Sequence, residues 1–163
     1  MIPVNQKIGT FYVGVLKASE AIQICSADPR RRSEDDDLVK YTGIQRPLNM
    51  KRVAEIRGYV KTWDATFPNS VILAVNSRFY FLDGDGQYMY IKRDKLAASI
   101  IDGQHRLAGF EAGDGVAGDF ELIVSLFPEL EVVEQAYLFS VINTRMTRIN
   151  PSLAQDLLEF SKI

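Results

Sequence analysis

Apolar positions along the chain fall into short runs separated by polar punctuation. Residues 8–16 (Ile8-Gly9-Thr10-Phe11-Tyr12-Val13-Gly14-Val15-Leu16) are β-branched and aromatic, which predicts a strand. A short helix is expected over 18–25. Between 49 and 63 the period becomes helical: Val53, Ile56, Tyr59, Val60 and Trp63 recur at i, i+3, i+6, i+7 and i+10, with Asn49 placed to cap. Residues 70–75 have the composition of a buried strand. Residues 78–82 and 87–91 flank Asp83-Gly84-Asp85-Gly86, a hairpin turn signal. That loop also suggests calcium, but the rest of an EF-hand ligand set is missing.

Alternation puts Phe79 and Phe81 on one face of the hairpin, Tyr80 on the other, and Tyr88 with Tyr90. Core or oligomer packing is the expectation for these rings, and base stacking is the functional alternative. Residues 97–101 form a strand pattern that runs into Asp102-Gly103-Gln104-His105-Arg106 and a short helix stopped by Gly113 and Gly115. A strand follows over 119–126. Pro128 then starts a helix to about Ile142, and Pro151 opens a last one.

Strands alternating with helices around a central hairpin define the expected class: α/β (α+β), a compact mixed sheet with helices. The helical pattern is uncapped at Ile163. The organisation read from this is one domain over 1–163, with a motif-bearing core over 40–160, cut from a longer protein.

At 163 residues the chain can bury a core without disulfides or metals. An apolar fraction of 47% and a charged fraction of 25% exclude a disordered, collagenous or coiled-coil chain. No apolar run approaches the ~20 residues of a membrane span, so no membrane partner is expected. Met1–Lys7 lacks a signal-peptide layout. The single Cys25 cannot form an intrachain disulfide, and with the single His105 it cannot complete a tetrahedral zinc site. Cys25 therefore reads as core filler, in a reducing, cytoplasmic setting. Nineteen basic against 21 acidic residues give a net charge of −2, which does not announce a nucleic-acid binder but leaves room for a local basic patch. The stretch Asp28–Asp37, with Arg30-Arg31-Arg32 followed by acids, reads as a solvated loop, with phosphate contact as its alternative.

The candidate chemistry lies where a strand ends at Ile101. Gly103 allows a tight turn and close approach of an anion to the backbone. The free N–H groups of the following helix start attract negative charge. Arg106 can grip phosphate oxygens bidentately, and His105 can donate a hydrogen bond or move a proton. Asp102 can cap the helix, hold Arg106 or bind a metal. The competing reading is an ordinary helix start with surface His105 and Arg106. Arg145 and Arg148 offer a basic edge or plain solvated charges. Arg46, biased to extended backbone by Pro47, points into the same site or forms a structural ion pair.

The segment Asp102-Gly103-Gln104-His105-Arg106 resembles the signature of the DGQHR-domain family, which includes the DndB proteins of bacterial DNA phosphorothioation systems. Gly43-Ile44-Gln45-Arg46-Pro47-Leu48 is similar to that family's upstream Gln-Arg element, and Phe139-Ser140-Val141-Ile142-Asn143-Thr144 to its downstream Phe-x-x-Ile-Asn element. A wider resemblance runs to the ParB/sulfiredoxin superfamily, whose Gly-Glu-Arg-Arg and Gly-Gly-Cys-His-Arg motifs hold nucleotide phosphates. Asn143 through Asn150-Pro151 is similar in spacing to a ParB segment.

The resemblance implies nucleotide or phosphate binding by Gln45, Arg46, Asp102, Gly103, Gln104, His105, Arg106 and Asn143, and the basic edge adds Arg145 to the expected site. The ligand it implies is an NTP of unspecified base, with Mg2+ as the accompanying metal. Gln104 stands where sulfiredoxin has its cysteine, which argues against sulfinic acid repair. Ile142 stands where ParB has its acidic residue, which weakens a case for ParB-type hydrolysis and leaves Asp102 the nearest carboxylate.

Three functions are thereby set against one another. The first is a nucleotide-binding regulatory or sensor domain of a DNA-modification or defence system. The second is an NTPase coupled to DNA processing, with Asp102 and His105 as catalytic candidates. The third is a DNA-binding regulator or interaction module without nucleotide chemistry. Nucleotide, DNA and a second copy in a homo-oligomer are the partners these readings allow.

Overall fold

The computed structural model describes residues 1–25, 48–113, 115 and 118–145. Among these, β1 (Ile2–Gln6), β2 (Gly9–Lys17), β3 (Val71–Val75), β6 (Ala98–Asp102) and β7 (Glu121–Pro128) make a five-stranded sheet in the order β1-β2-β7-β3-β6. The β7–β3 pair is parallel and the others antiparallel, so the sheet is mixed. Two further strands, β4 (Tyr80–Leu82) and β5 (Met89–Ile91), form a separate hairpin. The helices are α1 (Ala18–Ile24), α2 (Met50–Tyr59), α3 (Gln104–Glu111) and α4 (Val132–Arg145). The fold is thus the mixed α/β class that the alternating pattern predicts.

The core forms where small and branched side chains of α1 meet the central strands. Ala18, Ala21 and Ile24 pack with Val71, Leu73, Leu122, Val124 and Leu126, and Leu107 and Phe110 of α3 close the layer. Cys25 is buried there and its thiol donates to the Ala21 carbonyl at 2.9 Å, the role of a core filler. Helices α2 and α3 cross at Gly109. A Cβ there would sit 2.5 Å from Ile56 Cγ2, so glycine is what allows the approach. Val53 and Ala108 are buried in the same contact. Among the described residues no helix is long and apolar enough to cross a membrane.

Several expectations need correction. Strand β1 was not signalled by the pattern: Pro3, Asn5 and Gln6 hide it, and its register against Gly9–Val13 of β2 makes it a strand. Helix α2 stops at Tyr59, because its last turn tightens into Lys61–Gly58 and Thr62–Tyr59 backbone bonds and Thr62 Oγ1 donates to the Tyr59 carbonyl at 2.8 Å. Trp63 therefore leaves the apolar stripe and is 98% exposed.

Pro128 closes β7 rather than opening a helix. It needs no ladder N–H there, because the next residue, Glu129, donates to the Val75 carbonyl. Phe79 lies in a short 3-10 turn (Ser77–Phe79), so it does not share a face with Phe81. Phe79 and Tyr80 pack on the core, whereas Phe81, Tyr88 and Tyr90 are exposed. The Asp83–Gly86 loop is the expected turn: Asp83 Oδ1 accepts from the Tyr88 N–H at 2.8 Å, a backbone role in place of a cation. The predicted last helix and the Asp28–Asp37 loop lie outside the described residues.

Candidate phosphate site at the start of α3

Strand β6 carries an irregularity before the site. Ile72 of β3 pairs with Asp102 while Leu73 pairs with Ile100, so Ile101 is an extra residue in the ladder. Such a bulge bends a strand end and re-aims the residues after it. Next comes Gly103, at φ 99, as the N-cap of α3. A Cβ at that position would meet both Val71 methyl groups at 3.1 Å. The backbone geometry therefore favours glycine, and any Cβ would also press on the Val71 methyl groups. Asp102 is not the cap, because it is held as the last paired residue of β6 and Gly103 takes the cap position without a side chain.

Around this turn lies a cleft of about 430 Å³, lined by Arg52, Glu55 and Ile56 of α2, Phe67, residues 101–106, and Phe139 of α4. The structure thus brings Asp102, Gly103, Gln104, His105 and Arg106 together on one wall. Asn143 and Arg145 belong to the last turn of α4, beyond Phe139. Gln45, Arg46 and Arg148 lie outside the described residues.

His105 Nε2 accepts a hydrogen bond from the Asn49 backbone N–H at 3.0 Å. Asn49 in turn caps α2, its Oδ1 accepting from the N–H groups of Lys51 and Arg52 at 3.1 and 3.2 Å. An accepting Nε2 requires a neutral imidazole with its proton on Nδ1. Consistent with this, burial holds the His105 pKa below its ordinary value near 6.5; Arg52 adds to the lowering and Asp102 opposes it. His105 thus fixes the start of α2 to the start of α3, and Nδ1–H is its remaining donor.

Arg106 is half-buried. Its guanidinium donates to the Asn69 carbonyl and lies 5.4 Å from the Phe67 ring centroid. Phe67 itself sits edge-on to Tyr59, Phe110 and Phe120. Burial, reinforced by the charge of Arg52 and opposed by Asp102, lowers the Arg106 pKa. With five N–H donors, Arg106 keeps others for a ligand after the Asn69 contact.

Arg52, Glu55 and Phe67 complete the cleft and carry no motif in the sequence, whereas Phe139, which also lines it, heads the Phe-x-x-Ile-Asn element. A signal for Arg52 existed: it stands three residues after the capping Asn49 and four before Ile56, on the α2 face that turns to α3. The charged lining is balanced, Arg52 and Arg106 against Asp102 and Glu55, and the N-terminus of α3 adds the partial positive charge of a helix start. Among the described residues no cluster of three or more His, Cys, Asp or Glu could by itself hold a metal. Two carboxylates are nonetheless what Mg2+ uses when phosphate and water supply its other ligands.

The chain is a mixed α/β domain whose sheet delivers a glycine turn, a helix start and two arginines to one cleft. The DndB family model, described as DNA-sulfur modification-associated, matches residues 2–158, and the chain belongs to this family. No curated protein and no solved structure matches it.

Proposed function

We propose that the chain is a nucleotide-binding regulatory or sensor domain of the DNA-sulfur modification system with which its family is associated, acting in the cytoplasm. The observation that carries this is the convergence of Arg52, Arg106 and the helix start at Gly103 on one cleft. Anions are drawn to such a helix end by its unpaired N–H groups and dipole. A triphosphate would lie over Gly103 against Gln104, His105 and Arg106, with Arg52 on the opposite wall. Asp102 and Glu55 would take Mg2+ carried by the phosphates. Gln45, Arg46, Asn143 and Arg145 would complete the site.

Binding is favoured over hydrolysis because the Nε2 of His105, the lone histidine, already accepts the Asn49 N–H. Direct contact of this cleft with a DNA phosphate is the second reading, and it uses the same cationic groups.

Isothermal titration of ATP, GTP, CTP and UTP, each with and without Mg2+, tests the proposal on wild-type protein and on Arg52→Glu. Arg52 is exposed, so its replacement spares the fold. Saturable binding of one or more nucleotides, weakened tenfold or more in Arg52→Glu, is expected. Folded protein that binds none of them contradicts the proposal.

A further inference from the structure

Phe81 and Tyr90 are register partners across the β4–β5 hairpin, and their rings stack with centroids 4.7 Å apart and planes 10° from parallel. Both point outward: Phe81 is 63% exposed and Tyr90 51%; Tyr88, just before β5, is also exposed at 62%. Core packing is thereby excluded for these three rings.

The other side of the hairpin is anchored. Phe79, Tyr80, Met89 and Ile91 pack on the main core, and the Tyr80 hydroxyl donates to Glu129 Oε1 at 3.1 Å. The exposed stack therefore stands on a fixed base. Beside it runs a groove of about 290 Å³, whose charged lining residues are Arg78 and Lys92. Both are exposed, and Lys92 Nζ lies 5.9 Å from the Phe79 ring. The acids of the hairpin, Asp83 and Asp85, lie in the turn that joins the strands, away from this groove's lining.

Aromatic faces flanked by cations match one chemistry closely: bases that stack and phosphates that neutralise charge. A duplex keeps its base faces covered by neighbouring bases, so an open ring platform fits unpaired bases. A two-fold contact between copies centred on these rings would crowd Arg78 and Lys92 of both chains into one patch.

We propose that the β4–β5 hairpin is a single-stranded nucleic-acid contact, in which an unpaired base stacks on the Phe81–Tyr90 pair and the strand's phosphates lie against Arg78 and Lys92. The surface shares no residue with the cleft at α3, and it stands or falls separately from the nucleotide reading.

Fluorescence anisotropy of the whole chain with labelled oligothymidylate and oligouridylate of about 12 nucleotides tests it, with a duplex of equal length for comparison. Wild-type protein binds DNA or RNA single strands better than the duplex. Tyr90→Leu, which keeps apolar bulk but removes the ring, weakens binding by about tenfold, the scale of one stacked base. Tyr90→Phe retains it. Lys92→Gln lowers the slope of affinity against salt, by roughly one unit for each phosphate no longer neutralised. Three results overturn the proposal: wild-type protein, folded by circular dichroism, that binds neither strand; Tyr90→Leu that binds as wild type does; or sedimentation showing a dimer that Tyr90→Leu dissociates while no oligonucleotide binds.

Discussion

The backbone N–H of Asn49 donates to Nε2 of His105 across 56 residues of sequence, at 3.0 Å. This bond joins the capped start of α2 to the first turn of α3, and so sets the two walls of the cleft against each other. It exists only while His105 is neutral. The folded-state pKa lies below the ordinary value near 6.5, so the unfolded chain takes up a proton first as pH falls. The contribution of His105 is thus complete above about pH 6.5 and is lost as pH drops through the lower folded-state value. Urea midpoints should fall between pH 7.5 and pH 5, and His105→Gln should flatten the part of that slope due to this group. An unchanged slope in His105→Gln would contradict the assignment.

Glycine at position 103 is favoured by φ 99, and a Cβ there would also press on the Val71 methyl groups at 3.1 Å. Gly103→Ala should cost on the order of 1–3 kcal/mol, the range for a strained non-glycine backbone. Gly109→Ala should cost a similar ~1–3 kcal/mol by overpacking against Ile56. Gly86 has φ 66 but open space around its Cβ direction, so Gly86→Ala should cost only the ~1–2 kcal/mol of the left-handed conformation. Denaturant melts of the three variants check the order.

Arg106 has a structural role as well as a proposed ligand role. Arg106→Ala removes the donor to the Asn69 carbonyl and the cation over Phe67, and should destabilise by about 2 kcal/mol. Arg52→Ala, on an exposed side chain, should change stability by no more than ~0.5 kcal/mol. Loss of nucleotide binding in Arg52 variants is therefore the cleaner sign of a site. Thermal melts of both variants without ligand establish the contrast.

Tyr80 donates to Glu129, and burial, followed by that bond and the Glu129 charge, pushes its pKa up to about 12. In an alkaline titration followed by phenolate absorbance, one of the seven tyrosines should ionise last, near pH 12, and Tyr80→Phe should remove that step. With the folded value above the unfolded one near 10, this stabilisation is complete below pH 10 and lost as pH rises towards about 12.

Much of this architecture was legible because it is written locally. The β-branched run of β2, the Asn49 cap of α2, the Asp83–Gly86 turn and the strand-to-glycine-to-helix passage at Asp102–Arg106 each follow from neighbouring residues. What escaped depends on distant partners. The edge strand β1 is defined only by its pairing with β2. The extra residue at Ile101 arises from a mismatch with β3. The capping position passed from Asp102 to Gly103 because Asp102 is held in the β6–β3 ladder. Arg52 and Glu55 enter the site because Gly109 lets α2 approach α3, a contact between elements some fifty residues apart.

The central claim is that the cleft at the start of α3 binds a nucleotide, and the single histidine makes it directly observable. The imidazole signals of His105 in isotope-labelled protein, followed by NMR during addition of ATP, GTP, CTP or UTP with Mg2+, report on that cleft alone. A saturable shift with one or more of the nucleotides, needing at least tenfold more ligand in Arg52→Glu, is the predicted result. His105 signals that stay fixed through all four additions, in protein shown to be folded, would contradict it.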